Sequence, residues 1–127
     1  MAERKGARST DRFQKKREAI LDASTILLNQ HGVKGLTLAV AASAVGLSTT
    51  SVTYYFKRKD DLAAACIMRG LNWLLAAVDT ALAETTPQAR LHKLLELYLE
   101  RLRLTAIGEA PQLPALSDIR ALNNPQR

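Results

Sequence analysis

Val45-Gly46-Leu47-Ser48-Thr49-Thr50-Ser51-Val52-Thr53-Tyr54-Tyr55-Phe56 is the stretch that decides the fold. Gly46 follows the Ala-rich run Leu38 to Val45 and suits the turn after a helix. Ser48 is a good N-cap for a second short helix running to about Phe56. Two short helices joined by a glycine-containing turn of about three residues read as a helix-turn-helix. Val52 and Phe56 are one helical turn apart, so they can anchor the second helix against Leu38, Val45 and Leu47. That leaves Thr49, Thr50, Ser51, Thr53 and Tyr54 toward solvent. Hydroxyls and threonine methyls of this kind can address base edges in a major groove. The helix has no charge, so attraction to phosphate has to come from its flanks, where Lys57-Arg58-Lys59 lies on one side.

Upstream, residues 1–9 are basic and lack apolar periodicity, which predicts a flexible arm. Ser9, Thr10 or Asp11 can cap the next helix, and Asp11 with Gln14 has capping-box spacing. Phe13, Ile20, Ser24, Leu27 and Leu28 recur at helical spacing, and Gly32 suits the left-handed residue that ends this helix. Thr37 caps the helix that opens the helix-turn-helix.

Downstream, Asp60-Asp61 favours the start of a long helix reaching about Glu84. Thr86-Pro87 opens a Leu-rich helix ending at Gly108. Pro111 and Pro114 then interrupt the chain before a short helix at about Ser117–Leu122, and residues 123–127 show no core pattern. The predicted class is therefore all-α.

Charge divides unevenly. Up to Leu62 there are eleven basic and six acidic residues; beyond it there are seven and six. A polyanion partner fits the first half better than the second. Cys66 is the only cysteine, which excludes an intrachain disulfide or a cysteine-rich zinc site. There is no signal-type apolar core near Met1 and no run of roughly 18 uninterrupted apolar residues, so the expectation is a cytoplasmic protein with no membrane partner. No phosphate loop, paired carboxylates or Ser/His/Asp grouping supports an enzyme, and no metal or other cofactor is expected. His31 and His92 read as a helix-end and a surface residue.

The set Ile20-Leu21-Asp22-Ala23, Leu36-Thr37, Val45-Gly46-Leu47-Ser48 and Tyr54-Tyr55-Phe56-Lys57 with Lys59 and Leu62 resembles the DNA-binding domain of TetR-family transcriptional regulators. The resemblance implies a three-helix DNA-binding domain over residues 10–62. A long fourth helix joins it to a partial ligand-binding and dimerisation domain over residues 63–127. It further implies a cytoplasmic bacterial repressor acting on double-stranded operator DNA, responsive to a small-molecule effector, and a homodimer in full-length form. It assigns phosphate contacts to Thr37, Tyr55 and Lys59, and base or backbone contacts to Thr49, Thr50, Ser51 and Tyr54. Cys66, Met68, Trp73 and Tyr98 lie on the helices that contribute to the family's ligand pocket.

Three features depart from the family pattern. Thr53 stands where tyrosine is common, and Ala41 where a large aliphatic residue is usual, with Val40 or Val45 expected to compensate. Family members are also longer, so the chain reads as C-terminally truncated. The alternative function is a fragment that does not bind DNA and acts as a protein-interaction module or heterodimer partner.

Overall fold

The computed structural model describes residues 2–122; Met1 and the patternless 123–127 tail lie outside them. Five α-helices and one 3-10 helix make up the described chain, and it contains no strand. They are α1 (Ala2–Gly35), α2 (Leu38–Ala44), α3 (Thr49–Tyr55), α4 (Lys59–Leu82), α5 (Pro87–Ala106) and the 3-10 helix Leu116–Ala121. The all-α expectation is met, with α1 to α3 forming the head and α4 leading out of it.

One boundary differs from the sequence reading. Residues 2–9, expected as a flexible arm, are the opening turns of α1. Thr10 does not cap a new helix; its hydroxyl donates to the Gly6 carbonyl 3.0 Å away, one turn back. Asp11 pairs with Lys15 at 3.2 Å across the next turn. Ala, Glu, Arg and Lys are all favourable helix residues, so nothing between Ala2 and Thr10 forces a stop.

Gly32 does break the helix, with φ 72° and ψ 177°, a conformation essentially restricted to glycine. The break turns Val33 and Leu36 into the core, where they are 2% and 0% exposed. Thr37 then caps α2, its hydroxyl accepting from the Val40 amide at 3.1 Å.

The core holds Ile20, Leu21 and Leu28 from α1, Ala41 and Ala42 from α2, and Val52 with Phe56 around α3. Leu62, Ala63, Cys66 and Ile67 of α4 join the same cluster, as does Leu122 at the far end of the chain. Packing is thus continuous across residue 62. Ala41 is fully buried; Val45 packs against the core beside it, whereas Val40 is 41% exposed and compensates for nothing.

Arg69 of α4 reaches across to α1, bonding to Asp22 at 2.6 Å and to Glu18 at 2.8 Å. Burial works against its charge, but the bonds to Asp22 and Glu18 outweigh burial and raise its pKa. By length and composition α4 could cross a membrane, yet a third of its most apolar window is buried against the rest of the protein. That part of its apolar surface packs on α1 and α5.

Candidate nucleic-acid interface

The turn between α2 and α3 is set by backbone bonds. Gly46 has φ 68°, and its amide donates to the Ser43 carbonyl at 3.3 Å. The Leu47 amide donates to the Ala42 carbonyl at 2.9 Å, completing a Schellman end. A side chain at Gly46 would meet no neighbour, so the glycine is needed for its positive φ and not for space. Leu47 turns partly inward, and Ser48 starts α3 by accepting from the Ser51 amide at 3.1 Å.

Within α3, Val52 is fully buried, and Phe56 just beyond it is 5% exposed. The opposite face is open. Thr49, Thr50, Ser51, Thr53 and Tyr54 are all exposed, and Tyr54 reaches 76%. Two of the hydroxyls are already engaged: Thr53 donates to the Thr49 carbonyl at 2.9 Å, and Ser51 lies 2.9 Å from the Ser48 hydroxyl. The Thr49 and Thr50 hydroxyls have no partner among the described residues, which leaves them available to an incoming surface.

Tyr55 is half-buried, its ring stacked on Phe13 of α1 at 4.8 Å. Tyr54 meets both rings edge-on, at 5.9 Å from Phe13 and 5.3 Å from Tyr55. The Arg17 guanidinium sits 5.2 Å over the Phe56 ring. Lys16 joins Leu47, Ser51, Tyr54 and Tyr55 around a shallow recess of about 200 Å³. Phe13 was read from the sequence only as a helix-spacing residue, and Lys16 and Arg17 join it here from the same helix. Their placement beside Tyr55 or Phe56, some forty residues away, has no local signature.

The basic flank lies on the approach to α4. Lys57 is exposed, Arg58 pairs with Asp61 at 3.5 Å, and Lys59 is half-buried in the first turn. Arg58, at the N-cap of α4, makes no side-chain cap bond, and Lys59 shares the first turn with Asp60 and Asp61, whose charge the helix dipole favours there. Thr37, at the start of α2, is also exposed. Thr37, the open face of α3, Tyr55 and Lys59 are therefore presented by one packed head.

The four expected ligand residues divide. Trp73 and Tyr98 line one cavity of about 350 Å³ with Gly70, Leu71, Leu74 and the 113–116 segment. Met68 is 53% exposed, and Cys66 is fully buried elsewhere, its thiol directed at the Leu21 carbonyl 3.7 Å away. Burial is the main cause that raises the Cys66 pKa above its ordinary 9.0. A thiol favouring its protonated form in the fold resists alkylation. The expected result is no labelling of native protein by iodoacetamide at pH 8 and complete labelling in denaturant. A rapid native reaction, followed by mass spectrometry, would show an accessible thiolate. By linkage, the thiol's contribution to stability is intact below pH 9 and declines above it, because only the unfolded chain ionises there.

Comparison with known proteins follows the head most closely. Residues 20–66 match the family described as "Bacterial regulatory proteins, tetR family". The chain is 30% identical over 93 residues to the HTH-type transcriptional regulator BetI of Burkholderia thailandensis, a match covering 72% of this chain and 48% of that protein. It is 36% identical over 78 residues to the BetI regulator of Paraburkholderia phymatum, covering 60% and 40%. The chain therefore spans about half the length of the curated relatives it matches. Among solved structures, the ketosteroid transcriptional regulator KstR2 of Mycobacterium tuberculosis superposes with a TM-score of 0.62 at 20% identity, covering 68% of this chain and 45% of that one. The fatty acid degradation regulator FadR of Bacillus halodurans gives 0.57 at 19%, covering 74% and 49%. At these identities the structural likeness speaks to the fold.

Proposed function

This chain belongs, through residues 20–66, to the TetR family of bacterial regulatory proteins, and from that premise we propose that it is a ligand-responsive repressor whose α3 reads operator DNA in the major groove. The observation that carries the reading is the exposed hydroxyl face of α3, anchored from behind by Val52 and Phe56 and flanked by Lys57 and Lys59. In this arrangement affinity and specificity come from different side chains. Thr37, Tyr55 and Lys59 hold phosphates; Thr49, Thr50 and Tyr54 face the bases. Ser51 and Thr53, whose hydroxyls are engaged by Ser48 and by the Thr49 carbonyl, contribute shape, and Thr53 adds a methyl contact.

The test is fluorescence anisotropy with fragments from the chain's own genomic neighbourhood, titrated across salt. Lys59→Ala is expected to weaken binding to all sequences and flatten the logarithmic salt slope by about 1. Thr50→Ala is expected to change preference at a single base pair by about 1–3 kcal/mol, with the salt slope unchanged. Binding that ignores both substitutions would remove α3 and the α4 start from the interface.

The effector site in this reading is the cavity at Trp73 and Tyr98. Its volume is that of a small-molecule site, and its lining is aliphatic and aromatic, which suits an uncharged apolar molecule. Operator recognition by two heads requires a second copy in a cytoplasmic dimer. Leu75 and Leu82 of α4 and Leu91, Leu95 and Leu99 of α5, each more than half exposed, support pairing with further helices. The same leucines would serve equally a heterodimer partner that does not bind DNA by itself. The stoichiometry of the DNA complex separates the two.

A further inference from the structure

The chain beyond α5 turns back over the head as a strap, and its contacts are unusually distributed. Pro111 is held from α5: its carbonyl accepts from the Arg101 guanidinium at 2.9 Å and from the Thr105 hydroxyl at 3.2 Å. The next residues are held from α1 by one side chain. Asn29 donates to the Gln112 side chain at 3.1 Å and to the Leu113 carbonyl at 2.9 Å, and it accepts from the Ala115 amide at 2.7 Å. Pro114 sits against Gly70 of α4 so closely that a Cβ at Gly70 would overlap the proline ring. Finally Leu122, 1% exposed, joins the core cluster that contains Leu21, Leu28 and Val33.

The same strap is a wall of the apolar cavity. Leu113, Pro114, Ala115 and Leu116 close it opposite Leu71, Trp73, Leu74 and Tyr98. Asn29 lies less than one turn before the Gly32 break, beyond which the chain runs directly into Val33, Leu36 and the Thr37 cap of α2. From these positions we infer that residues 111–116 are a latched wall, so that opening the cavity and loosening the end of α1 are one event. Asn29 is the latch, and Gly70 is the seat that lets the wall close. This deepens the effector-site reading and rests on it, because an occupant large enough to displace Pro114 must also strain the Asn29 bonds.

Trp73 is the chain's only tryptophan, so its fluorescence reports this wall directly. Gly70→Ala pushes on Pro114 without touching α1; Asn29→Ala releases the latch without touching α4. In both variants acrylamide quenching of Trp73 is expected to rise about twofold as the wall opens. Amide hydrogen exchange is expected to accelerate in residues 111–116 and also in 26–33. The informative crossing is Gly70→Ala, where acceleration in 26–33 has to travel through the strap. Gln30→Ala, an exposed neighbour of Asn29, serves as control and should leave both measurements unchanged. Far-UV circular dichroism identifies a variant that has lost its helices, in which case the other variant decides. Unchanged quenching in the folded variants, or faster exchange in 111–116 with 26–33 unaffected, would overturn the inference. No DNA or effector enters these measurements, so a failure here is distinct from a failure of the regulator reading.

Discussion

Leu62→Ala is expected to lower the unfolding free energy by about 2–5 kcal/mol, the range for deleting a fully buried leucine side chain. Leu62 is 0% exposed and sits in the first turns of α4, in one cluster with Ile20 and Leu21 of α1, Leu36, and Val52 of α3. The cluster it belongs to draws on four segments, and the short helices α2 and α3, of 7 residues each, cannot persist without tertiary support. Because the cluster continues to Cys66, Ile67 and Leu122, head and α4 should unfold in one transition. Chemical denaturation followed by circular dichroism and by Trp73 emission measures both points. Two separated transitions would mean that α4 is not seated in the head's core. A loss below 1 kcal/mol would mean that the site collapses freely after truncation.

Phe13→Ala comes next in expected size, at about 2–3 kcal/mol, less than a fully buried phenylalanine because the ring is only half-covered. Part of the loss is its stack on Tyr55 and edge contact with Tyr54, since aromatic pairs contribute roughly 0.5–1.5 kcal/mol beyond their buried area. The consequence reaches past stability. Tyr55 is an expected phosphate contact, and Phe13 is what fixes its ring. Operator affinity should therefore fall for every sequence while base preference is retained, the opposite pattern to Thr50→Ala. Phe13→Leu should restore most of the stability, because it refills apolar volume, but less of the affinity, because it cannot stack. If Phe13→Ala binds DNA as the parent does, the aromatic cluster supports the fold without positioning the interface.

Most of the head was legible because its signals are short-range. A cap and the amide it satisfies are three residues apart, as at Thr37–Val40, Ser48–Ser51 and Thr86–Ala89. Gly32, Gly46 and Gly108 mark positive φ at the ends of helices and were readable for the same reason. The start of α1 was misplaced because a capping signal competes with continuation. Thr10 satisfies its hydroxyl one turn back, and the preceding residues carry the helix on. Of the candidate ligand residues, Trp73 and Tyr98 meet at one cavity while Cys66 and Met68 do not. Their shared location on α4 and α5 could not reveal which way each side chain faces.

What the amino-acid sequence determined by itself is the set of helices, the turn that joins α2 to α3, and the hydroxyl face of α3, because periodicity, caps and glycines act within one or two turns. Only the tertiary structure decided that Phe13 braces Tyr55, that Arg69 ties α4 to Asp22 and Glu18, and that Asn29 holds the strap across Gly70. The partners in these contacts lie more than forty residues apart. No periodic pattern encodes such pairs; they exist because the shared core brings the helices together, and the interface and the cavity wall are built on that packing.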